Sequence, residues 1–328
     1  MDGNLQTPNS GLPLPVFSVI VPFFNEQEVL PQLVQRLGQV LRALEAAGEV
    51  VFVDDGSTDG SVEVLQAVLP RLPAFQLVRL RRNFGLQSAY RAGMDHARGR
   101  ALIFLDADLQ DPPERIPEML QAWRGGADVV VGVRRSRPER GFRGLCLRLF
   151  HELFHRCTGG IMPKNSGTFG LMDRTVAEAV RSMPERNLFL PALRIWAGER
   201  CAILEYDRSG RSGGEAKQSL ARLFAYAWDG VTSFSEWPVR FIFFAGCAVS
   251  LPSFGYAGAL LAIKVLQWMG WFRSLEVEGF TTIAVAVLCL GGVQLMSIGV
   301  LGEYISRIYK ETKGRPHYLL RQEGDPAR

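Results

Sequence analysis

The sequence predicts an α/β domain built on a mostly parallel sheet, followed by a C-terminal pair of transmembrane helices. Three observations carry this. Apolar runs near 17–22, 50–54, 76–80, 101–106 and 128–132 alternate with helical patterns at 26–47, 59–68, 86–98 and 114–124. Alternation of this kind belongs to strands joined by crossover helices. Three of the strands run straight into polar or acidic residues. Finally, residues 241–263 and 281–302 contain no charge, and each run is over 20 residues long.

The most informative junction is LIFLDADLQDPPE, residues 102–114. Residues i and i+2 of an extended segment point to the same side, so Asp106 and Asp108 project together from the strand end. Gln110 joins them if the extended geometry continues. Two carboxylates and an amide oxygen are hard ligands that suit Mg²⁺ or Mn²⁺. A solvated acidic turn is the plain alternative. A second junction, VVFVDDGSTDGS at 50–61, ends in Asp54 and Asp55. Gly56 allows a tight turn there, and Ser57 or Thr58 can cap the next helix. The first junction, FSVIVPFFNEQE at 17–28, brings Pro22, Asn25 and Glu26 to a strand end. Open α/β sheets bind ligands at the carboxyl ends of their strands, and all three junctions lie on that edge.

VPFFNE, DDGSTD and DADLQDPPE, in this order and spacing, resemble the family 2 glycosyltransferases with the nucleotide-sugar-binding GT-A fold. More narrowly, the chain is similar to the polyprenyl-phosphate hexosyltransferases, the group of dolichol-phosphate mannosyltransferase and the bactoprenol glucosyltransferases. The resemblance covers essentially the whole chain. It implies inverting, non-processive transfer of one hexose from a nucleotide sugar, UDP-glucose first among the donors, to undecaprenyl phosphate. It implies that Pro22, Asn25, Glu26, Asp54, Asp55 and Asp106 line the nucleotide-sugar pocket. It also implies a metal held by Asp106, Asp108 and Gln110.

Residues 205–219, EYDRSGRSGGEAKQS, gather Arg208, Arg211 and Lys217 around a Gly-Gly turn. By themselves they read as a basic hairpin loop. In the resembling family the matching segment handles phosphates, which adds these three cations to the catalytic set of Asp106 and Asp108. Ala216 and Gln218 depart from that segment, losing a hydroxyl and an aromatic ring. A second departure is NSGTFGLMDR, 165–174, where Asn165, Thr168 and Gly170 replace an acidic residue, Asp or Ser, and an arginine. Lys164 and Arg174 are the neighbouring cations that would have to stand in. Further arginines, Arg134, Arg135, Arg137, Arg140, Arg143 and Arg148, cluster ahead of this segment, as a solvated loop or as a site for phosphate or anionic headgroups.

The sequence divides into a loose tail (1–15), the GT-A domain (16–216), interfacial amphipathic helices (217–238) and the two spans with a final tail (239–328). Apolar residues make up 47% of the 328. Each uncharged run can cross a hydrocarbon core of about 30 Å. Arg240 precedes the first, and Arg307, Lys310, Lys313 and Arg315 follow the second. Basic flanks stay on the cytoplasmic side, so both ends are expected there, with only about 264–280 outside. The N terminus has no apolar core of a signal peptide. A net charge of +4 does not suggest nucleic acid, and homo-oligomers stay open. Five cysteines without a CxxC pair fit a reducing compartment. His151-Glu152-Leu153-Phe154-His155 matches the HExxH zinc pattern, but no third ligand is signalled nearby. Two other classes of function stay open. A lipid-alcohol glycosyltransferase would need a base, and a non-catalytic membrane scaffold would not need the acid clusters.

Overall fold

FSVIVPF is apolar at nearly every position, which marks a strand covered on both faces. In a computed structural model these residues form β1 (Phe17–Phe23), and all seven are buried. The structure describes residues 15–44, 47–135, 163–207 apart from 164, 184, 186 and 187, scattered positions between 242 and 269, and 279–322. Within it the residues fall into two compact units, Met1–Ser233 with Arg315–Arg328, and Phe234–Gly314.

The first unit holds a sheet of seven strands. Beside β1 lie β2 (Gly48–Asp54), β3 (Phe75–Arg79) and β4 (Ala101–Phe104), followed along the chain by β5 (Val129–Arg134), β6 (Ser166–Asp173) and β7 (Cys201–Tyr206). Their spatial order is β3-β2-β1-β4-β6-β5-β7. β1 pairs parallel with β2 and β4, and β2 pairs parallel with β3. β6 runs antiparallel between β4 and β5, and β7 closes the far edge parallel to β5. The order reverses at β1, where β1 sits between β2 and β4. That is the switch point at which open α/β sheets form a crevice.

Four helices connect these strands: α1 (Leu30–Ala43), α2 (Ser61–Val68), α3 (Leu86–His96) and α4 (Ile116–Arg124). α1 buries Leu30, Leu33, Val34, Leu37 and Leu41, the three-and-four spacing of one apolar face. It begins at Leu30 rather than 26, after a turn over 27–29 in which the Val29 and Leu30 amides both donate to the Glu26 carbonyl. Two further helices, α5 (Arg174–Ser182) and α6 (Leu190–Ala197), lie between β6 and β7 in sequence. Asp173 caps α5 by accepting from the Thr175 amide.

The fourth apolar run needs a correction. Its strand stops at Phe104, not at 106, and the backbone turns at Ala107 and Asp108. Leu109 follows with φ 59°. The extended geometry that would align Gln110 with both acids therefore does not continue.

The second unit contains α7 (Phe280–Thr312), a single helix of 33 residues. Among the described residues the expected pair of spans is not found. Judged on the described side chains, no helix is long and apolar enough to cross a membrane. Of the expected first span, 241–263, only isolated positions are described.

Candidate active site

The carboxyl ends of β1, β2 and β4 meet at one edge. Pro22 lies inside β1, opposite Val53, and is buried. Beyond it, two loops are laced together. The Asn25 amide donates to Ser57 Oγ at 3.1 Å, and its Oδ1 accepts from the Thr58 amide at 2.8 Å. The Glu26 amide donates to Ser61 Oγ at 2.8 Å. These bonds fix the short polar segment that follows β1 against the DDGSTD turn.

Asp54 and Asp55 have different duties. Asp54 accepts from the Ser57 amide at 2.8 Å and lies 3.6 Å from Arg79 Nε. Burial nonetheless raises its pKa. Asp55 uses both oxygens, accepting from the amides of Phe84 at 2.7 Å and Gly85 at 2.9 Å. Burial pushes its carboxyl to about 6, against the lowering by those two amides. It thereby anchors the loop after β3 to the end of β2.

Asp106 is held by a residue from another element. Tyr90, on α3, donates to Asp106 Oδ1 at 2.6 Å. The Tyr90 ring itself packs on Phe104, with centroids 5.5 Å apart. Burial, and then the neighbouring Asp111 and Asp108, push Asp106 to about 6, while the Tyr90 hydroxyl opposes the rise. Asp108 accepts from the Gln110 amide at 3.1 Å, a bond that ties the turn together.

Asp111 is almost fully buried beside them. It accepts from Tyr206 Oη at 2.5 Å, and Arg134 stands 3.6 Å away. Arg134 Nε donates to the same Tyr206 oxygen at 3.0 Å. Burial disfavours the Arg134 cation, but Asp111, Tyr206 and Asp106 together outweigh it and the guanidinium pKa rises. Carboxylate, phenol and guanidinium thus come from three separated segments, at 111, 206 and 134.

Sequence reasoning placed Asp106, Asp108, Asp54, Asp55, Asn25 and Glu26 at this edge, and the structure puts them there. Arg208, Arg211 and Lys217 lie outside the described residues, as do Lys164 and the HExxH stretch. Of the arginine cluster, Arg134 and Arg135 are described, and only Arg134 turns inward, half-buried against Asp111. Arg174 does not replace the missing arginine. It donates to the carbonyls of Ala97 and Gly99, at the amino end of β4. Instead Arg194, fully buried on α6, donates to the carbonyls of Thr168 and Gly167, each at 2.7 Å. Gly170 leaves the room for it, since a Cβ there would fall 2.6 Å from the Arg194 guanidinium. Tyr90, Tyr206 and Arg194 carried no sequence signal. Asp111 had one, being inside DADLQDPPE.

The fit to a divalent cation rests on the donor set. Among the described residues, no three His, Cys, Asp or Glu side chains group closely enough to cage an ion. What is present is a half-buried carboxylate, Asp106, under repulsion from Asp111 and Asp108. Mg²⁺ and Mn²⁺ sites of the phosphate-handling kind use one or two carboxylates and complete their shell with water and substrate phosphates. The residues fit that arrangement, with Asp106 and Asp108 as holders, and do not fit a closed all-protein site.

The family model for glycosyl transferase family 2 matches residues 18–181. Among curated relatives, an uncharacterized glycosyltransferase of Synechocystis is 40% identical over 92% of this chain and 94% of its own. The bactoprenol glucosyl transferase of Shigella phage SfV is 38% identical over 93% of this chain and 98% of its own. A prophage bactoprenol glucosyl transferase homolog of Escherichia coli is 37% identical over 93% of this chain and 98% of its own. Among solved structures, mannosyl-3-phosphoglycerate synthase from Rubrobacter xylanophilus aligns at 16% identity and TM-score 0.49, over 81% of this chain and 78% of that one.

Proposed function

The chain belongs to glycosyl transferase family 2, and we propose that it transfers one hexose, glucose from UDP-glucose, to polyprenyl phosphate. The observation that carries the reading is the acid edge itself. Asp54, Asp55 and Asp111 are buried and Asp106 is half-buried at the carboxyl ends of three strands, with Arg134 turned in beside Asp111. A membrane scaffold has no use for carboxylates held at that cost. Relatives named bactoprenol glucosyl transferases, matching nearly end to end, support the acceptor.

The reaction balances simply. An oxygen of the lipid phosphate attacks the anomeric carbon of the sugar. The bond from that carbon to the nucleotide's diphosphate breaks, and UDP leaves with the electron pair. Asn25, Glu26 and Asp55 would hold the nucleoside. Asp106 and Asp108 would hold Mg²⁺ or Mn²⁺, which supplies charge neutralisation for the departing diphosphate. Arg134 stands where it can attract an anionic partner, as Arg208, Arg211 and Lys217 are expected to do. Tyr90 keeps Asp106 in place throughout.

The same reading puts the enzyme on the cytoplasmic face of the plasma membrane. What supports it is the sequence: residues 281–302 carry no charge, and the basic residues Arg307, Lys310, Lys313 and Arg315 that follow favour the cytoplasmic side.

The test is direct. Membranes containing the chain are incubated with labelled nucleotide sugars and undecaprenyl phosphate, then extracted for lipid. Label from UDP-glucose should appear in a polyprenyl-phosphate product, and Asp108→Ala or EDTA should abolish it. Full activity of Asp108→Ala in excess EDTA would remove the metal from the proposal. Labelled product on a lipid alcohol, and none on the phosphate, would replace the acceptor.

A further inference from the structure

The last described residues return to the catalytic unit and bind the edge of its sheet. β3 is an edge strand, and an open edge presents unpaired backbone groups. Residues 319–321 take those just beyond its end. Leu320 forms an antiparallel bridge with Leu80. The Arg81 amide donates to the Leu319 carbonyl at 2.8 Å, and the Arg321 amide donates to the Arg79 carbonyl at 2.9 Å. Tyr318 adds a side-chain anchor, donating to Asp95 Oδ2 at 2.9 Å. Arg181 donates to the other oxygen of Asp95 at 2.8 Å. This is a strap with backbone and side-chain fastenings.

The strap reaches a cavity of about 540 Å³ that opens between the DDGSTD turn and the chain after β3. Its wall carries Arg79, Arg81, Arg82 and Arg321 against Asp59 and Glu63. Phe24, 38% exposed, presents an aromatic face to the same space. Excess positive charge beside an aromatic ring suits a nucleotide, whose phosphates need cations and whose base stacks on a π-face. The wall is also continuous in sequence with the candidate donor residues. Phe24 precedes Asn25, Gly56 follows Asp55, and Asn83 precedes the two amides that Asp55 holds.

We propose that the strap His317–Arg321 is part of the donor site, and that Arg321 is a positioning residue for the nucleoside diphosphate. The chain's far C terminus would then complete a pocket otherwise built from the first hundred residues. The inference rests on the donor reading above and adds a residue to it. The Arg321 backbone, not its side chain, makes the bond to Arg79. That backbone bond survives trimming of the side chain, and the melting temperature together with the lysine variant separates ligand contact from structural support.

The full-length chain is titrated by calorimetry with UDP, GDP, ADP and dTDP, with Mn²⁺ present. For the one that binds wild type, Arg321→Ala should weaken affinity tenfold or more, and Arg321→Lys should recover much of the loss. The melting temperature should not move. In turnover, the donor KM should rise while the acceptor KM and kcat stay near wild type. Wild-type affinity in Arg321→Ala would overturn the inference and leave the donor reading standing. A drop of several degrees in melting temperature with no rescue by lysine would also overturn it, assigning the residue to the fold. Failure of wild type to bind any of the four nucleotides would sink both readings together.

Discussion

Tyr90 donates its hydroxyl to Asp106 Oδ1 across 2.6 Å, from the middle of α3 to the loop after β4. The tyrosine is fully buried, and burial, with Asp106 beside it, drives its own pKa upward, so it remains a donor at any working pH. One oxygen of Asp106 is thus committed to orientation. Groups that orient a metal-holding carboxylate typically matter by about 10–100-fold in metal affinity or activity.

Tyr90→Phe keeps the ring and its packing on Phe104 and removes only that bond. The expected result is a 10- to 100-fold loss of kcat/KM, with more Mn²⁺ needed for half-maximal rate. A metal titration of turnover measures both. An unchanged Mn²⁺ requirement would show that Asp106 is positioned by something else.

Asp55 gives the fold a pH dependence of known sign. Burial pushes its carboxyl up to about 6 in the folded chain, above the ordinary carboxylate value of 3.8. Between those values the folded state holds more proton than the unfolded state, so this group lowers stability as pH rises through the window. The swing is at most about 3 kcal/mol, from about 1.4 kcal/mol per pKa unit. Asp55→Asn has no such titration. Denaturant curves at pH 4, 5, 6 and 7 should show wild type losing ground to Asp55→Asn as pH rises. Parallel pH profiles for the two proteins would mean that Asp55 is not held near 6.

Gly170 is where two backbones and a buried cation converge. A Cβ there would sit 2.3 Å from the Val130 carbonyl oxygen and 2.6 Å from Arg194. The carbonyl belongs to the adjacent β5 and cannot swing away. Gly170→Ala should therefore destabilise the unit by about 1–3 kcal/mol, the usual range for overpacking. Urea denaturation of the variant checks this, and a shift below about 0.5 kcal/mol, the ordinary surface value, would contradict the geometry.

Why these features were or were not legible follows from their chemistry. β1 to β5 were readable because each buries a continuous apolar run, and a helical pattern separates each from the next. The acids Asp54, Asp55, Asp106 and Asp108 were readable because they interrupt those runs at the edge where ligands bind. β6 hid in NSGTFGLMDR because glycines and polar residues dilute its pattern, and its antiparallel course leaves no crossover helix to announce it. β7 hid because it is an edge strand whose outward residues, Cys201, Ile203 and Glu205, are exposed and follow no simple polarity rule. Tyr90 and Tyr206 were invisible for a different reason. Their roles come from contacts across 16 and 95 residues of chain, and no local pattern records such a meeting. The turn at Leu109 was missed because a left-handed leucine is rare, and strain of this kind is kept at functional sites.

The last prediction concerns the acceptor's own proton. An alcohol acceptor must lose a proton as it attacks, which calls for a placed base. Among the described acids, Asp106 is engaged by Tyr90, Asp111 by Tyr206 and Asp55 by two amides. A phosphate monoester has its second pKa at about 6 and is mostly dianionic at neutral pH. It needs no base, only cations to bring it to an anionic donor. Activity should therefore fall in acid as the acceptor protonates, with donor held saturating so that Asp55 does not set the limb. A phosphorothioate acceptor, being the stronger acid, should carry the limb to lower pH, because the proton belongs to the lipid. Arg211→Ala should weaken acceptor use sharply and leave Mn²⁺-dependent UDP binding intact. A limb that stays fixed when the acceptor changes would assign the titration to an enzyme carboxylate and restore the case for a general base.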